Sequence, residues 1–562
     1  RFGMLSTIRE YGLERLAECG EEAVISERHA WFFMQLAEEA EPRLRGVEQL
    51  LWLRRLEVEH DNLQAALAWA TEHGEVEVGL RIAGALWRFW YIKSYLSEGR
   101  NHLMRLLNLP QPAGMEAIRG KALNGAGSLI YNQGDYDLAK SLHEECLQIA
   151  RKTGDGRSAA GALNNLGLIA KIHNHYDEAY SLFEQALDIN RATGNRGWEA
   201  INYNNMGNVR YDQGDYASAR ALEEQSVALF TALGDSWGMA MSLADLGRVA
   251  FEHGNYAEAR DLYGRSLALQ RELGDKRNVA DTLNKLGVVI LNQSDYAEAH
   301  DLFEQSLSVF RDLGDKRGIA ASLHYMGVVS YRRGDYTTAR VYLEESLKSR
   351  LQLGDKRDIA ESHNNLGLVA FEQGDYTRAE VELTLCLQLW RELGNKALIP
   401  LSLNNLGLVA ICLGEFDRAF ALLEECLQAS STSGWKLGVA LALLNLGLAR
   451  GGQGNYTEAE RLYFESLRMF DVMGDKLHLA TSLIRLSSLS ALTGEPEKAL
   501  LLAGAADAIF ETSGISIPPF ERPYYEPAIG AARVLLGEVA SAAAWEKGHG
   551  LSTEQILSGH YE

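Results

Sequence analysis

Residues 163–189 read LNNLGLIAKIHNHYDEAYSLFEQALDI. Leu163, Leu166, Gly167 and Ala170 fall at i, i+3, i+4 and i+7, one apolar stripe on a helix. His173-Asn174-His175 then interrupt the pattern, at a place where most copies of the motif carry Gln-Gly-Asp or His-Gly-Asn. Glycine suits the left-handed end of a helix, and Asp or Asn suits the cap of the next. Tyr176, Ala179, Leu182, Phe183, Ala186 and Leu187 resume the 3–4 spacing, and Thr193-Gly194-Asn195 close the second helix. The stretch is a pair of helices joined by a tight turn.

The pair recurs every 40 residues without insertion. The aromatic after the turn returns from Tyr136 through Tyr456, with Phe416 standing for Tyr once. Alanine returns from Ala139 through Ala499, glycine of the first helix from Gly127 through Gly447, and glycine of the second turn from Gly154 through Gly474. Small residues at fixed places let helices approach most closely, so Gly167 and Ala179 are expected to sit where the two helices of a pair touch. One pair cannot bury both of its faces, and stacking on the next copy completes the core. The reading is all-α: a right-handed α-α superhelix of about ten repeats over residues 111–515, with a long concave surface.

The same string resembles the tetratricopeptide repeat in its Leu-Gly step, its Gly-Asp-Tyr turn and the small residue of its second helix. It departs in having Leu163, Tyr203 or Leu243 for the family's early Trp, in lacking its terminal Pro, and in a period of 40 residues against the usual 34. The extra residues are expected to lengthen the helices and the connecting turn. The 40-residue form is similar to the repeats of MalT-type bacterial activators and of the animal Leu-Gly-Asn spindle-orientation protein. The resemblance spans roughly residues 115–515.

Residues 1–110 have helical patterning out of phase with the repeat and are rich in large aromatics, among them Trp31, Trp52, Trp69, Trp87, Trp90 and Tyr91. The strings RFGMLSTIREYGLERL, WLRRLEVEHDNLQAALAWA and LWRFWYIKSYLSEGR resemble the bacterial NB-ARC-type signal-transduction ATPases with numerous domains (STAND NTPases). In that family such strings follow the nucleotide-binding and winged-helix modules. The resemblance implies that residues 1–16 are the exit from a winged helix, and the start at Arg1 suggests a fragment of a longer protein. After Gly514, Pro518, Pro519, Pro523 and Pro527 read as a rigid connector, with helices resuming near Ala528 and Ala540. Residues 516–562 are expected to cap the last repeat, and AWEKGHGLSTEQILSG resembles the tail of the same ATPase group.

Charge and composition narrow the function. Net charge is −21 over 562 residues, which disfavours a general nucleic-acid surface. No apolar run is long enough to span a bilayer, and no secretory pattern opens the chain. The five cysteines form no CxxC pair, as expected in a reducing, cytoplasmic setting. Cys146, Cys386 and Cys426 share a repeat position held elsewhere by Ala186 or serines such as Ser226, so they read as small packing residues. There is no GxxxxGK[ST], HExxH, zinc-spaced Cys–His set or GxSxG. The glycines of GDGRSAAG and GGQGNYTE fit the repeat, His173 and His175 flank a turn, and Glu144-Glu145, Glu344-Glu345 and Glu424-Glu425 read as a solvated face. No catalytic residue, metal site or cofactor is expected.

Binding is. In tetratricopeptide proteins the first helix of each pair lines the groove, which implies a role here for Asn164, Asn204, Asn284, Asn364 and Asn404. Asn208 and Arg248 lie on the same face, with Tyr211, Phe251, Tyr331 and Phe371 toward the helix end. An Asn amide both donates and accepts and can clamp a peptide backbone; the alternative is a purely structural Asn ladder. Asn165, Asn205, Asn365 and Asn405 are expected to satisfy backbone groups between repeats. The GDKR series places Lys276, Arg277, Lys316, Arg317, Lys356 and Arg357 on one edge, either as solvated helix caps or as a docking ridge for an acidic partner. The family resemblance implies a sensor arm whose partners are a protein or peptide, a small-molecule inducer, and the nucleotide-binding core of the same protein. The alternatives are a free-standing peptide-binding scaffold and a structural assembly module.

Overall fold

The computed structural model describes residues 11–558 apart from 13, 14, 17, 46, 514, 515 and 519. The reading of residues 1–10 as part of a winged-helix exit, and of Gly514 as the point where the period stops, falls outside the described residues. Every regular element among the described residues is helical. The chain divides into two compact units, Arg1–Gly318 and Ile319–Glu562.

In the first unit the helices Glu22–Ala40, Gln49–Val58, His60–Glu72, Val76–Ile92 and Leu96–Leu107 precede the repeats. They do not form a separate core. Fully buried Phe89 and Trp90 belong to one continuous cluster that runs from Ala30 into Leu163 of the repeats. From Glu116 onward a first helix (A) and a second helix (B) alternate: A helices Gly156–Ile172, Arg196–Asp212 and Ser236–Glu252 begin 40 residues apart, as do B helices Tyr176–Ala192, Tyr216–Leu233 and Tyr256–Leu273.

The B-to-A turn shows how the sequence punctuates the fold. Gly274 adopts φ 70°, and Asp275 N–H then reaches back to Gln270 O at 3.0 Å. The Asp275 carboxylate accepts from Asn278 N at 3.2 Å and caps the next helix. Glycine pays no steric penalty there, and Asp satisfies an orphan donor.

The glycine of helix A is a socket. A Cβ on Gly167 would lie 2.6 Å from the Phe183 ring, and one on Gly287 2.5 Å from Phe303. The bulky residue one turn beyond the helix B alanine therefore fills the notch. The column of small residues also holds the pair together: Ser226, Ser266 and Ser346 donate to Ala200 O, Ala240 O and Ala320 O at 2.9, 2.7 and 2.7 Å.

In the second unit the pairing continues through Tyr456–Met473, Lys476–Leu492 and Pro496–Ser513. One A helix is short, Ile399–Cys412, because Pro400 occupies its first turn, where a missing N–H costs nothing. The helices Arg522–Leu536 and Glu538–His549 pack against Lys476–Leu492 and Pro496–Ser513. The latter contact requires glycine on both sides: a Cβ on Gly548 would meet Leu501 O at 1.9 Å, and one on Gly504 would meet Trp545 O at 2.2 Å. The helix starts at Arg522 and not near Ala528. Pro523 sits in its first turn and Pro527 inside it, at the cost of the bond that Pro527 would have given the Pro523 carbonyl.

Candidate ligand-binding grooves

In the first unit the asparagines of the A helices form a ladder. Asn165 donates to Asn124 Oδ1 and Ser128 Oγ, both at 3.0 Å, and Asn205 donates to Asn164 Oδ1 at 2.8 Å. Asn365, in the second unit, meets His324 Nε2 at 3.2 Å. These three bond side chains of the preceding repeat and not the backbone, because the 41-residue step brings side chain to side chain.

Four candidate residues converge. Asn204 donates to Glu223 Oε2 at 2.7 Å and to Asp245 Oδ2 at 2.8 Å. Asn208 donates to Asp245 at 3.0 Å and accepts from Arg248. Arg248 lies 3.8 Å over the Tyr211 ring, and Tyr211 Oη donates to Glu252 at 2.7 Å. Burial pushes the Glu223 carboxyl well above the ordinary range, assisted by Asp245. Asp245 is pushed up by burial too, but Arg248 and Lys285 outweigh that and hold it low. The two neighbouring carboxyls are thus shifted in opposite directions. Glu223 occupies the socket column that holds Phe183, Tyr263 and Phe303 elsewhere; an acid breaking an apolar column was the signal that the sequence offered for it. Of the remaining candidates of this unit, Asn284 is buried and Phe251 packs 5.6 Å from Tyr256.

The helices ahead of the repeats reach across to this face. Asp235, the cap of helix Ser236–Glu252, accepts from Arg88 Nη2 at 3.2 Å, Gln49 Nε2 at 3.3 Å and Gly238 N at 3.0 Å. Trp237 N donates to Gln49 Oε1 at 3.2 Å, and its indole meets the Tyr91 ring at 5.6 Å and the Arg88 guanidinium at 4.7 Å. Between these helices and the A helices lies a cavity of about 230 Å³, walled by Trp87, Tyr91, Tyr131, Trp198 and Trp237, with Asn164 and Asn204 on its lining.

In the second unit the corresponding face is occupied by the chain itself. Phe520 packs 5.3 Å from Phe371 and 5.6 Å from Tyr524. Glu521 accepts from Arg485 Nε at 3.0 Å and Nη2 at 2.7 Å. Arg485 Nη1 donates to Asn445 Oδ1 at 2.9 Å, and Asn445 donates to Asn404 at 2.8 Å. Asn364 meets only its neighbour Asn365, at 3.4 Å, among the bonds described for it, and Tyr331 packs against Tyr336.

The GDKR residues lie where helices begin. Lys276, Lys316 and Lys356 open helices directly after Asp275, Asp315 and Asp355. Arg277 pairs with Asp315 at 3.2 Å and Lys356 with Glu392 at 2.7 Å. Arg317 N and Arg357 N donate to the capping aspartates at 3.1 Å. Cys146, Cys386 and Cys426 are buried and free, and burial raises the Cys146 thiol to about 12 and the Cys426 thiol to about 11. No helix among the described residues is long and apolar enough to cross a membrane.

Comparison with known proteins places this arrangement. The profile described as "Tetratricopeptide repeat" matches residues 119–192, 198–272, 278–352 and 358–431. A protein of Mycobacterium tuberculosis named as an HTH-type transcriptional regulator, Rv0890c, is 31% identical over 163 residues, or 28% of this chain. A Mycobacterium bovis counterpart, Mb0914c, gives the same values. The chain spans only 18% of the length of these relatives. Among solved structures, the quorum sensor NprR of B. thuringiensis is 16% identical with a TM-score of 0.43, covering 60% of this chain and 97% of its own. A Rap protein in complex with competence and sporulation factor is 14% identical with a TM-score of 0.42, covering 60% and 98%. With four double-repeat matches that together take in more than half of its length, the chain belongs to the tetratricopeptide-repeat family.

Proposed function

We propose that this chain is the ligand- and protein-binding arm of a larger bacterial regulator of the signal-transduction ATPase type, and that it carries no chemistry of its own. The observation that carries the binding role is the occupied groove of the second unit. There an aromatic residue, Phe520, lies on Phe371, and a carboxylate, Glu521, is held by Arg485. Aromatic anchors and fork-shaped Arg–carboxylate contacts are the means by which grooves hold peptides. The regulatory context is supported by the resemblance of residues 1–100 to the region that follows the winged helix in such ATPases. It is supported also by a relative named as an HTH-type transcriptional regulator.

In this reading a peptide, protein or small inducer engages the repeats and relieves inhibition of a nucleotide-binding core. The test is the reading frame upstream of Arg1 together with nucleotide hydrolysis by its full-length product. A P-loop in frame, and hydrolysis that changes when Phe371→Ala and Arg485→Met alter the groove, is the expected result. A frame without a P-loop would overturn the ATPase context and leave a free-standing scaffold.

A further inference from the structure

The cavity of the first unit contains a cation without a counter-ion. Arg45 lines it, with its guanidinium 4.9 Å over the Trp198 ring. Its Nη1 is enclosed and has no hydrogen-bond partner, and no ion pair of Arg45 occurs among the described residues. The acids nearby are already engaged. Asp235 serves Arg88, Gln49 and the Gly238 amide, and Glu41 is taken by Lys121. Burial and the neighbouring Arg88 press the Arg45 guanidinium down to about 9. Taking a charge out of water without a partner is costly, so such a group persists where something else supplies the partner.

The protein itself shows what satisfaction looks like. Arg485 is buried more deeply than Arg45, and it has Glu521, the Leu444 carbonyl and Asn445 around it. Arg45 has the Trp198 ring beneath its guanidinium and, among the described residues, no ion pair.

The rest of the cavity describes the body of the ligand. Its walls are the rings of Trp87, Tyr91, Tyr131, Trp198 and Trp237, which favour a flat apolar group. Its volume is about 230 Å³. That is below the roughly 300–1,000 Å³ of drug-sized pockets. One uncompensated positive charge calls for a single negative one.

We propose that this cavity binds a small aromatic carboxylate, with Arg45 taking the carboxylate and the tryptophan and tyrosine rings taking the ring. The proposal rests on the ligand-binding part of the function given above and not on the ATPase context. Because Arg45, Arg88 and Tyr91 precede the repeats while Trp198 and Trp237 belong to them, an occupant ties the leading helices to the repeats they fold over.

The experiment uses the whole 562-residue chain and the probes benzoate, phenylacetate and indole-3-acetate. Each is run beside its neutral amide, and inorganic phosphate is run alone. Calorimetric titration gives affinity, and quenching of tryptophan fluorescence reports the cavity. At least one carboxylate is expected to bind one-to-one, at least tenfold tighter than its amide. Arg45→Gln is expected to lose at least tenfold in affinity while melting, without ligand, at or above the temperature of the parent. Trp198→Leu, which leaves the charge in place, is expected to weaken the aromatic carboxylates. Failure of all three carboxylates to bind, equal binding of acid and amide, or unchanged binding by Arg45→Gln would overturn the proposal. So would a lower melting point for ligand-free Arg45→Gln, which would make the arginine structural. Phosphate binding tighter than every carboxylate would overturn the carboxylate assignment. None of these outcomes bears on an upstream P-loop.

Discussion

Arg485 holds Glu521 across 36 residues through Nε and Nη2, at 3.0 and 2.7 Å, with both side chains almost wholly withdrawn from solvent. The pair fastens the start of the Arg522–Leu536 helix to an A helix of the repeats. Removing one partner of a buried pair strands the other, at about 3–5 kcal/mol. Glu521→Ala is therefore expected to lower the stability of the second unit by that amount. Arg485→Met/Glu521→Ala, which leaves no orphan charge, is expected to recover most of it. Denaturant unfolding followed by circular dichroism measures both. Equal loss in the single and double variants would show that the pair is not the source.

The raised carboxyl of Glu223 gives the first unit a pH dependence of definite sign. The folded group keeps its proton to a higher pH than the unfolded one. Its contribution is complete below the ordinary carboxyl range and declines as pH rises through the folded value. Asp245 opposes ionisation, while Asn204, Arg248 and Lys171 favour it. Glu223→Gln keeps the shape and the Asn204 bond without a charge to place. It is expected to be more stable than the parent at pH 8, with the advantage shrinking toward pH 5. An advantage that is constant with pH would remove Glu223 as its cause.

The period was legible because each copy repeats one environment: the left-handed glycine, the capping aspartate, the socket and the small residue recur wherever their neighbours do. Cys426 was read as a small packing residue, and its thiol lies beside Pro400 O at 3.1 Å where serines donate in other copies. The contacts that make the two grooves differ were not legible. Arg88 with Asp235 and Phe371 with Phe520 join segments outside the period to distant repeats, and a repeat pattern carries no information about which distant copy such a segment meets. The Asn164 and Asn204 readings lay between a groove and a ladder because sequence spacing puts them on one face of the first helix in either case; the amides bond neighbouring repeats, and both residues are on the lining of the cavity. Glu223 was legible in principle, as the one acid in a column that otherwise holds Phe, Tyr, Leu and His143, but only once the socket is known to be closed.

Acid is expected to act first at two histidines. Burial presses His143 and His324 down to about 3, so both are neutral in the fold. For such a base, stability is retained above the unfolded value, near 6.5, and is lost below it at about 1.4 kcal/mol per pH unit for each group. His143 fills the socket of Gly127, whose Cβ would lie 2.6 Å from the imidazole, in the column occupied elsewhere by Phe183 or Leu343. His143→Leu is expected to remove one unit of slope from the melting temperature between pH 6 and pH 4. An unchanged slope would point to the carboxylates instead.

Ser294 stands where Gly214, Gly254 and Gly334 stand in other copies, and it takes the same left-handed backbone, φ 64° against 80°, 72° and 77°. The conformation is imposed by the turn: Asp295 N must reach Ile290 O, at 3.3 Å, so that its carboxylate can accept from Glu298 N at 3.1 Å and cap the next helix. A residue with a Cβ is strained by about 1 kcal/mol or more in that region, and nothing in the turn rewards the hydroxyl with a bond among those described. Ser294→Gly is accordingly expected to stabilise the first unit by about 1 kcal/mol, less the entropy that glycine gains on unfolding. Asn174, at φ 61°, is the control, because asparagine tolerates the conformation better and Asn174→Gly should gain less. Hydrogen exchange at Asp295 N and Ala299 N measures the turn directly. Slower exchange in Ser294→Gly is the expected result, and exchange unchanged at both amides would mean that the strain is absorbed elsewhere in the repeat.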